Sequence, residues 1–301
     1  MASKISQLFY LAGWFVRARF FGRKKPLQSV IFVSDRCNLR CKHCSVYNVA
    51  NPLSKTMAQL EEEMRYCYSL GSRFIDFEGG EPFLWHDGEA RIDDLIRLAK
   101  KIGFFSCTIT TNAQKPFSSS EAGAIWVSLD GVGQYHDAVR GEGAFARLEK
   151  NVAECGFKAL TANMAINTLN YESVAKTIEY VEANPAFKSI SFSFHTPFRG
   201  TEYLTVDQKT REEIIDLIIS YKKKGYHIMN TKVGLRKMKK LDFEPQCWVT
   251  NFIFTDGTRL DQCAGKQEGV CDQCGFGMAG EMNALFNFHP ETIFAGLSLR
   301  V

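Results

Sequence analysis

Short runs of β-branched and aromatic residues alternate with segments of helical periodicity between residues 28 and 225. This alternation is typical of βα units that build a parallel sheet. Six of the runs are predicted as strands, and they lie at residues 29–34, 74–77, 105–110, 124–129, 162–167 and 189–194. The pattern therefore predicts an α/β fold with six βα units, two fewer than a closed eight-stranded barrel needs.

Capping signals mark several of the helices between these strands. Thr56 and Gln59 form a capping-box pattern ahead of apolar positions at helical spacing. Thr205 and Gln208 form a similar pattern and predict a long helix that ends at Gly225. The alternation of strands and helices is lost after residue 225. We therefore predict an amino-terminal segment of residues 1–26, a main domain of residues 27–225 and a small irregular module of residues 226–301.

The amino-terminal segment is apolar and aromatic, and basic residues follow it. It is too short to span a bilayer, and it lacks the cleavage site of a signal peptide. As a helix it places six apolar residues on one face: Ile5, Leu8, Phe9, Ala12, Phe15 and Val16. One interpretation is a helix that lies on an anionic membrane surface through residues 4–25. The other is a helix that caps the bottom of the main domain.

The composition argues against nucleic acid and for metal ligation. A net charge of only +4 over 301 residues gives no general attraction to nucleic acid. Ten cysteines are many for such a chain, and most of them are clustered, which favours metal binding in a reducing compartment over disulfides. Three others fall on apolar faces and are predicted to be core residues: Cys67, Cys107 and Cys155.

The first cysteine cluster follows the first predicted strand. Cys37, Cys41 and Cys44 are separated by three and then two residues, so one tight loop can direct all three thiols to one volume. A closed zinc site needs four ligands, and His43 is the one candidate nearby. Three cysteines alone favour a [4Fe–4S] cluster with one iron left open. A zinc site completed by His43 is the alternative.

The CxxxCxxC spacing resembles the signature of the radical S-adenosylmethionine (SAM) superfamily. The Gly-Gly-Glu-Pro turn of residues 79–82 follows the second strand and resembles the GGE motif of that superfamily. The resemblance implies a partial (β/α)6 barrel of the TIM type, with SAM bound to the open iron of the cluster. It also implies that the amino group of SAM is received by this turn: Gly79, Gly80, Glu81 and Pro82.

A third block, from Ser128 to Arg140, resembles the SxDG…HDxxRG stretch of radical SAM enzymes related to peptide and sulfatase maturases. The resemblance implies that Ser128 and Arg140 hold the carboxylate of SAM, with Asp130 in the same site. A guanidinium fork suits a carboxylate. The alternative for Arg140 is a surface ion pair with Asp137 or Glu142.

Three further residues at strand ends are predicted to contact SAM. Asn112 and Asn167 would reach ribose or methionyl atoms, and the backbone at His195 would reach adenine. For the two asparagines, ordinary strand-end capping is the alternative. For the histidine, the alternative is a structural side chain.

The second cysteine cluster is Cys247, Cys263, Cys271 and Cys274, and a predicted hairpin turns at Asp256-Gly257 between the first two. Four thiols complete a zinc site or ligate a whole cube. The layout resembles the auxiliary-cluster modules called SPASM or Twitch. It departs from them by one extra residue before Cys263 and by the lack of a later cysteine, which favours one auxiliary [4Fe–4S] cluster, with zinc as the alternative.

The resemblance implies reductive cleavage of SAM to methionine and a 5′-deoxyadenosyl radical, with the electron supplied by a flavodoxin-like or ferredoxin-like donor. The favoured substrate is a lipid, a polyprenoid or another hydrophobic molecule, because the amino terminus loosely resembles that of hopanoid-synthesis enzymes. The alternatives are a maturase of ribosomally made peptides and a non-catalytic metal-binding protein. The reaction is of the oxidoreductase or the transferase type. We expect a cytoplasmic enzyme, with a peripheral place on the inner membrane face as the second expectation.

Overall fold

A computed structural model describes residues 4–44, 51–157, 159–198 and 200–300. One mixed sheet of eight strands forms its centre. The strands are β1 (Gln28–Phe32), β2 (Phe74–Glu78), β3 (Ser106–Thr111), β4 (Ala124–Ser128), β5 (Leu160–Ile166), β6 (Phe187–Phe194), β7 (Thr250–Ile253) and β8 (Arg259–Leu260).

The strands follow the order β6-β5-β4-β3-β2-β1-β7-β8. Strands β1 to β6 pair in parallel, each with the next strand along the chain. The sheet does not close on itself. The predicted partial (β/α)6 barrel is confirmed, and the six predicted strands differ from the observed ones by no more than two residues at either end.

Eleven helices occur in the described residues. They are α1 (Lys4–Phe21), α2 (Met57–Leu70), α3 (Ile92–Ile102), α4 (Gln134–Arg140), α5 (Ala144–Glu154), α6 (Val174–Ala183), α7 (Gln208–Lys223), α8 (Lys232–Lys240), α9 (Ala264–Gln267), α10 (Gly277–Phe286) and α11 (Pro290–Arg300). The capping box at Thr56 is present. The cap predicted at Thr205 is wrong: Asp207 caps α7, and its side chain accepts a hydrogen bond from the backbone N–H of Thr210 at 2.9 Å.

The two faces of the barrel strands differ in chemistry. The outer face is apolar and fully buried against the helices, as Ile75, Ile109 and Val127 illustrate. The inner face carries mostly polar side chains: Asp76, Glu78, Thr110, Trp126, Ser128, Asn163, Ser191 and Ser193. Because side chains alternate along a strand, one register places all of these residues in the interior of the barrel, which we call the lumen.

The chain after residue 225 is joined to the main sheet. Strand β7 pairs in parallel with β1, from Gln28 opposite Thr250 to Ile31 opposite Ile253. The predicted hairpin is present, since β7 and β8 are antiparallel and the N–H of Phe254 donates to the carbonyl of Thr258. The predicted irregular structure differs from the observed one, which contains four helices, two of which, α8 and α10, place Leu235, Met238 and Ala279 in the core cluster that β5 and β6 share. The domain boundary at residue 225 stays a prediction.

Helix α1 packs across the amino ends of the strands. Its docked face inserts Trp14 and Ala18 into a cluster with Leu27, Phe74 and Val249. The indole N–H of Trp14 donates to the carbonyl of Lys25 at 2.8 Å. The predicted interpretation of α1 as a cap on the barrel bottom therefore describes this face.

The opposite face of α1 is the apolar face that the sequence predicted, and most of it is exposed. Phe9 is 74% exposed, and Ile5 is 68% exposed. Phe20 extends this face by one further turn and is 62% exposed. We call Ile5, Leu8, Phe9, Val16 and Phe20 the α1 outer face. Within the described residues, no helix is both long and apolar enough to cross a bilayer.

Candidate functional site

The cysteine loop leaves the carboxyl end of β1 and brings polar N–H groups to its thiols. The backbone N–H of Leu39 donates to Sγ of Cys37 at 3.4 Å, and the side-chain amide of Asn112 donates to the same sulfur at 3.6 Å. The N–H of Cys44 donates to the carbonyl of Cys41 and tightens the loop. Burial raises the pKa of the thiols of Cys37 and Cys41 in the absence of a metal.

The Gly-Gly-Glu turn lies directly against the segment that leads into these cysteines. The N–H of Gly80 donates to the carbonyl of Ser34 at 2.7 Å, and the N–H of Glu81 donates to that of Arg36 at 2.9 Å. A Cβ atom on Gly80 would stand only 2.2 Å from the carbonyl oxygen of Arg36. Glycine is required here because the two backbones touch.

Glu81 is buried and joins the ends of β2 and β3. Its carboxylate accepts hydrogen bonds from the hydroxyl of Thr111 at 2.8 Å and from the backbone N–H of Asn112 at 2.7 Å. Burial raises the pKa of Glu81, and these hydrogen bonds oppose that shift. The side chain of Glu81 therefore holds the turn in place.

Arg140 and Asp130 form a buried ion pair next to the cysteine loop. Nε of Arg140 lies 2.7 Å from Oδ2 of Asp130, and a terminal nitrogen of Arg140 lies 3.8 Å from Sγ of Cys41. Burial alone would raise the pKa of Asp130, but Arg140, His43, His136 and the hydrogen bond from Ala165 together outweigh it, and the net shift is downward. The alternative of a surface pair with Asp137 or Glu142 is wrong, because Arg140 is only 9% exposed and turns inward.

His43 faces Asp130. Its Nδ1 lies 3.8 Å from Oδ2 of Asp130, and this buried atom has no hydrogen-bond partner among the described residues. Burial lowers the pKa of His43 to about 4, so the imidazole is neutral at pH 7. A carboxylate beside Nδ1 leaves Nε2 of His43 for a metal, so the zinc alternative for the first cysteine cluster stays open.

The side chains at two of the three predicted strand-end positions form local hydrogen bonds. The side chain of Asn167 caps its own loop, donating to the carbonyl of Ala165 and accepting from the N–H of Leu169. Nε2 of His195 lies 3.0 Å from the carbonyl of Thr201, and this ring is buried. Asn112 differs, because its amide lies on the cysteine loop.

The lumen contains residues that the motif search missed. Ser128 stands opposite Asn163 in the pairing of β4 and β5, and Asn163 stands opposite Ser191 in the next pair. Glu78 lies one residue before the glycine turn, and Thr110 donates to its carboxylate at 3.5 Å. Burial and the nearby Asp76 raise the pKa of Glu78 to about 7. The signal for these residues was the polar alternation within otherwise apolar strands.

The second cysteine cluster lines one cavity of about 230 Å³ beside the carboxyl end of β6. Its wall contains Thr196, Phe243 and Phe276 together with all four cysteines, which are Cys247, Cys263, Cys271 and Cys274. A hydrogen bond with Cys247 lowers the pKa of Cys263 below its usual value. The structure thus brings the four predicted ligands together.

The loop after Cys274 is fastened to β6 by backbone contacts. The N–H of Phe194 donates to the carbonyl of Gly275, and the N–H of Gly275 donates to the hydroxyl of Thr196 at 3.0 Å. A Cβ atom on Gly275 would lie 1.8 Å from the carbonyl oxygen of Phe194. The second cluster is therefore held at the rim of the lumen.

The surroundings of the first cysteine cluster supply positive charge. Among the described residues, no three Cys, His, Asp or Glu side chains are grouped as they would be around a bound metal ion. The N–H groups near Cys37 and the guanidinium near Cys41 suit an anionic cluster.

The family model described as the radical SAM superfamily matches residues 31–181. That range is half of the chain, and it contains the first cysteine cluster, the glycine turn and the Asp130–Arg140 pair. The chain belongs to the radical SAM superfamily. Enzymes of this superfamily use a [4Fe–4S] cluster together with SAM.

Two curated relatives in the superfamily make tetrapyrroles by name. Fe-coproporphyrin III synthase of Methanosarcina barkeri is 26% identical over 222 residues, which are 68% of this chain and 54% of the relative. Pre-heme d1 synthase of Dinoroseobacter shibae is 32% identical over 147 residues, which are 44% of this chain and 34% of the relative. The radical SAM chain described here thus spans about half the length of the first of these relatives and a third of the second.

Solved radical SAM structures share the fold at low identity. Streptococcus suis SuiB bound to SAM superposes with a TM-score of 0.63 and 18% identity, over 91% of this chain and 68% of SuiB. The enzyme anSMEcpe with bound SAM gives a TM-score of 0.59 and 17% identity, over 92% of this chain and 84% of that protein. These likenesses establish the fold of this radical SAM chain.

Proposed function

We propose that this chain is a radical SAM enzyme that holds a [4Fe–4S] cluster at Cys37, Cys41 and Cys44 and cleaves SAM reductively. The observation that carries the proposal is the direct backbone pairing of Gly80 and Glu81 with the segment that leads into the cysteines. This pairing supports a site in which the turn, which would receive the amino group of SAM, lies beside the cysteines that would hold the cluster.

When bound, the cluster supplies one electron to SAM and so generates methionine and a 5′-deoxyadenosyl radical. The protein contributes charge and shape. The N–H groups of Leu39 and Asn112 stabilise thiolate at Cys37, and Arg140 does so at Cys41. Asp130 balances the charge of Arg140 and fixes its orientation. Ser128 at the end of β4 is available for the carboxylate of SAM.

The test is anaerobic reconstitution followed by reduction with dithionite, with 5′-deoxyadenosine measured by chromatography. We expect cleavage of SAM by the wild type and a loss of at least about 100-fold in Cys41→Ala. Cys155→Ala is the matched control, because Cys155 is a buried core residue that belongs to neither cysteine cluster. A verified cluster with no cleavage of SAM contradicts the proposal.

The auxiliary site is proposed to hold a second [4Fe–4S] cluster on Cys247, Cys263, Cys271 and Cys274. Its support is the cavity of about 230 Å³ that these four side chains share. Metal and sulfide analysis of the Cys37/Cys41/Cys44 triple-Ala variant tests it. About four irons that remain in the triple variant support a second cube, whereas zinc in their place contradicts it.

For the substrate, we propose a polar reacting group such as a peptide side chain. The support is the lumen, to whose wall β2, β5 and β6 contribute Glu78, Asn163 and Ser191. Solved structures with the same fold include SuiB with its precursor peptide SuiA and anSMEcpe with a Kp18Cys peptide. Substitution of Asn163 by Leu would weaken substrate turnover without abolishing the cleavage of SAM. Equal loss of both reactions contradicts a role of Asn163 in substrate binding.

A hydrophobic substrate at a membrane is the second candidate, because the α1 outer face is exposed and residues 1–26 contain six basic and no acidic side chains. Against it, α1 lies at the amino ends of the strands and the site at their carboxyl ends. Strands of this length hold the two ends roughly 20 Å apart. A bilayer on α1 would therefore leave the mouth of the barrel facing water.

Co-sedimentation with vesicles of anionic and of zwitterionic lipid tests this second candidate. Binding to anionic vesicles that Phe9→Glu with Val16→Glu abolishes would support membrane association. Lys101→Glu is the control for a simple loss of positive charge, because this lysine lies on α3. Absence of binding by the wild type contradicts this second candidate.

We propose a cytoplasmic location and a flavodoxin-like or ferredoxin-like donor, since all ten cysteines are unbridged and cluster reduction needs a strong reductant.

A further inference from the structure

Arg211 is a buried cation next to the auxiliary site. It lies on α7 and is only 7% exposed. One terminal nitrogen donates to the backbone carbonyl of Cys274 at 2.7 Å. The guanidinium carbon lies 4.7 Å from the centre of the Phe194 ring, so the cation rests on an aromatic face.

No carboxylate balances this charge. Among the described residues, Arg211 forms no ion pair, although its neighbours on the helix include Glu212 and Glu213. A carbonyl and an aromatic ring offset only part of the cost of burial. An uncompensated buried charge costs several kcal/mol, and such charges are therefore nearly always paired. The thiol of Cys274 is a group whose negative charge would act on Arg211 and raise its pKa.

A metal–thiolate centre would supply the missing charge. An oxidised [4Fe–4S] core carries two positive charges against the four negative charges of its thiolates, and reduction adds one more negative charge. The cavity that holds the four cysteines adjoins Cys274, so the centre would lie beside Arg211.

The first cysteine cluster provides a contrast. Arg140 also lies beside a ligand cysteine, at 3.8 Å from Sγ of Cys41, but Asp130 neutralises it at 2.7 Å. The environment of the first cluster thus contains a balanced pair, whereas the environment of the second contains an unbalanced cation. Positive charge favours the more negative, reduced form of a nearby cluster.

We propose that Arg211 is the counter-cation of the auxiliary centre at Cys247, Cys263, Cys271 and Cys274, and that it raises the reduction potential of that centre. This inference rests on the proposed second cluster. It gives the auxiliary centre a greater tendency to accept an electron than its four thiolates alone would give. Arg211 acts through the cluster and is a positioning residue, because it touches the ligand loop and not the reacting atoms.

The experiment is an EPR-monitored reductive titration of the reconstituted full chain. At a fixed solution potential, Arg211→Gln should lower the ratio of reduced to oxidised auxiliary cluster by about tenfold. Arg211→Lys keeps the charge and should stay near the wild type. Lys209→Gln is the control, because this lysine lies on the same helix and is 87% exposed. An unchanged ratio in Arg211→Gln, with the cluster fully loaded, overturns the inference.

A second measurement does not depend on the folding of the Gln variant. Arg211→Met should raise the melting temperature of the metal-free protein, because it removes an uncompensated buried charge. The same variant should lower the melting temperature of the loaded protein, because it removes the partner of the cluster. The same sign of change in both forms overturns the inference.

Metal analysis of the wild type separates this inference from the proposal beneath it. A wild type with no metal at the four cysteines contradicts the second cluster itself. If the second cluster is loaded but its reduction potential and the melting temperature are unchanged in the Arg211 variants, only the role of Arg211 is contradicted.

Discussion

Nε of Arg140 lies 2.7 Å from Oδ2 of Asp130, and the same guanidinium reaches Sγ of Cys41 at 3.8 Å. Both charged side chains are buried, and the backbone N–H of Ala165 donates to the other oxygen of Asp130 at 2.9 Å. One carboxylate therefore links β5 and the α4 helix to the cysteine loop.

Asp130→Asn should destabilise the protein strongly. It removes one partner of a buried pair and leaves the charge of Arg140 uncompensated, which costs about 3–5 kcal/mol. Urea unfolding measured by circular dichroism gives the change in the free energy of unfolding. Asp94→Asn is the control, because Asp94 pairs with Arg97 on the surface. Equal effects of the two substitutions would show that the buried pair contributes no more than an exposed one.

Gly80→Ala should prevent loading of the first cluster. The new Cβ would stand 2.2 Å from the carbonyl oxygen of Arg36, so the turn must move away from the cysteine loop. Iron content and SAM binding by equilibrium dialysis measure the effect, and we expect both to fall at least about tenfold. Gly296→Ala is the matched control, because nothing lies within 4 Å of its Cβ position. Normal iron content and SAM affinity in Gly80→Ala would contradict the requirement for glycine at this contact.

Gly275→Ala should affect the auxiliary site and leave the first cluster intact. Its Cβ would lie 1.8 Å from the carbonyl oxygen of Phe194, which would push the Cys274 loop off β6. We expect loss of the second metal centre and retention of SAM cleavage. Iron analysis together with the 5′-deoxyadenosine assay distinguishes the two sites. Loss of both centres would mean that the loop also supports the barrel.

Asp207→Ala should cost about 1 kcal/mol of stability, because it removes the cap of α7. Thr205→Ala should have little effect, since the buried hydroxyl of Thr205 has no hydrogen-bond partner among the described residues. Chemical unfolding of both variants is the measurement. A larger loss of stability in Thr205→Ala than in Asp207→Ala would show that Thr205 caps α7, as the sequence pattern predicted.

Glu78→Gln should change the pH dependence of stability. The pKa of Glu78 is about 7 in the folded protein, above its ordinary value of 4.5. Between these values the unfolded chain has released the proton and the folded protein keeps it, so stability falls as pH rises through this window. The free energy of unfolding of Glu78→Gln minus that of the wild type should therefore be larger at pH 8 than at pH 5, by about 1–3 kcal/mol. Glu61→Gln on the exposed face of α2 is the control, and a pH-independent difference would refute the shift.

The six barrel strands and both cysteine clusters could be predicted because local sequence determines them. Apolar runs between helical periods mark the strands, and the spacing of Cys37, Cys41 and Cys44 marks the loop. The alternation of polar with apolar residues within those runs also marks lumen residues such as Glu78 and Asn163, although they belong to no recognised motif.

Contacts that depend on the three-dimensional path of the chain could not be predicted. Thr205 and Asp207 both fit a cap, and only the path of the chain selects Asp207. Arg140 had carboxylates at Asp137 and Glu142 nearby, yet it pairs with Asp130 because α4 turns that side chain inward. The burial of Arg211 follows from the contact of α7 with Phe194 of β6, which no local pattern indicates.

The pairing of β1 with β7 has a consequence for how the protein is made. Strand β1 delivers the chain to the first cysteines, but one of its two edges stays bare until Thr250–Ile253 has been synthesised. During synthesis, the cysteine loop therefore follows a strand that lacks one of its two neighbours while most of the barrel is being made. We expect that cluster insertion follows the synthesis and pairing of β7, when both neighbours of β1 are in place.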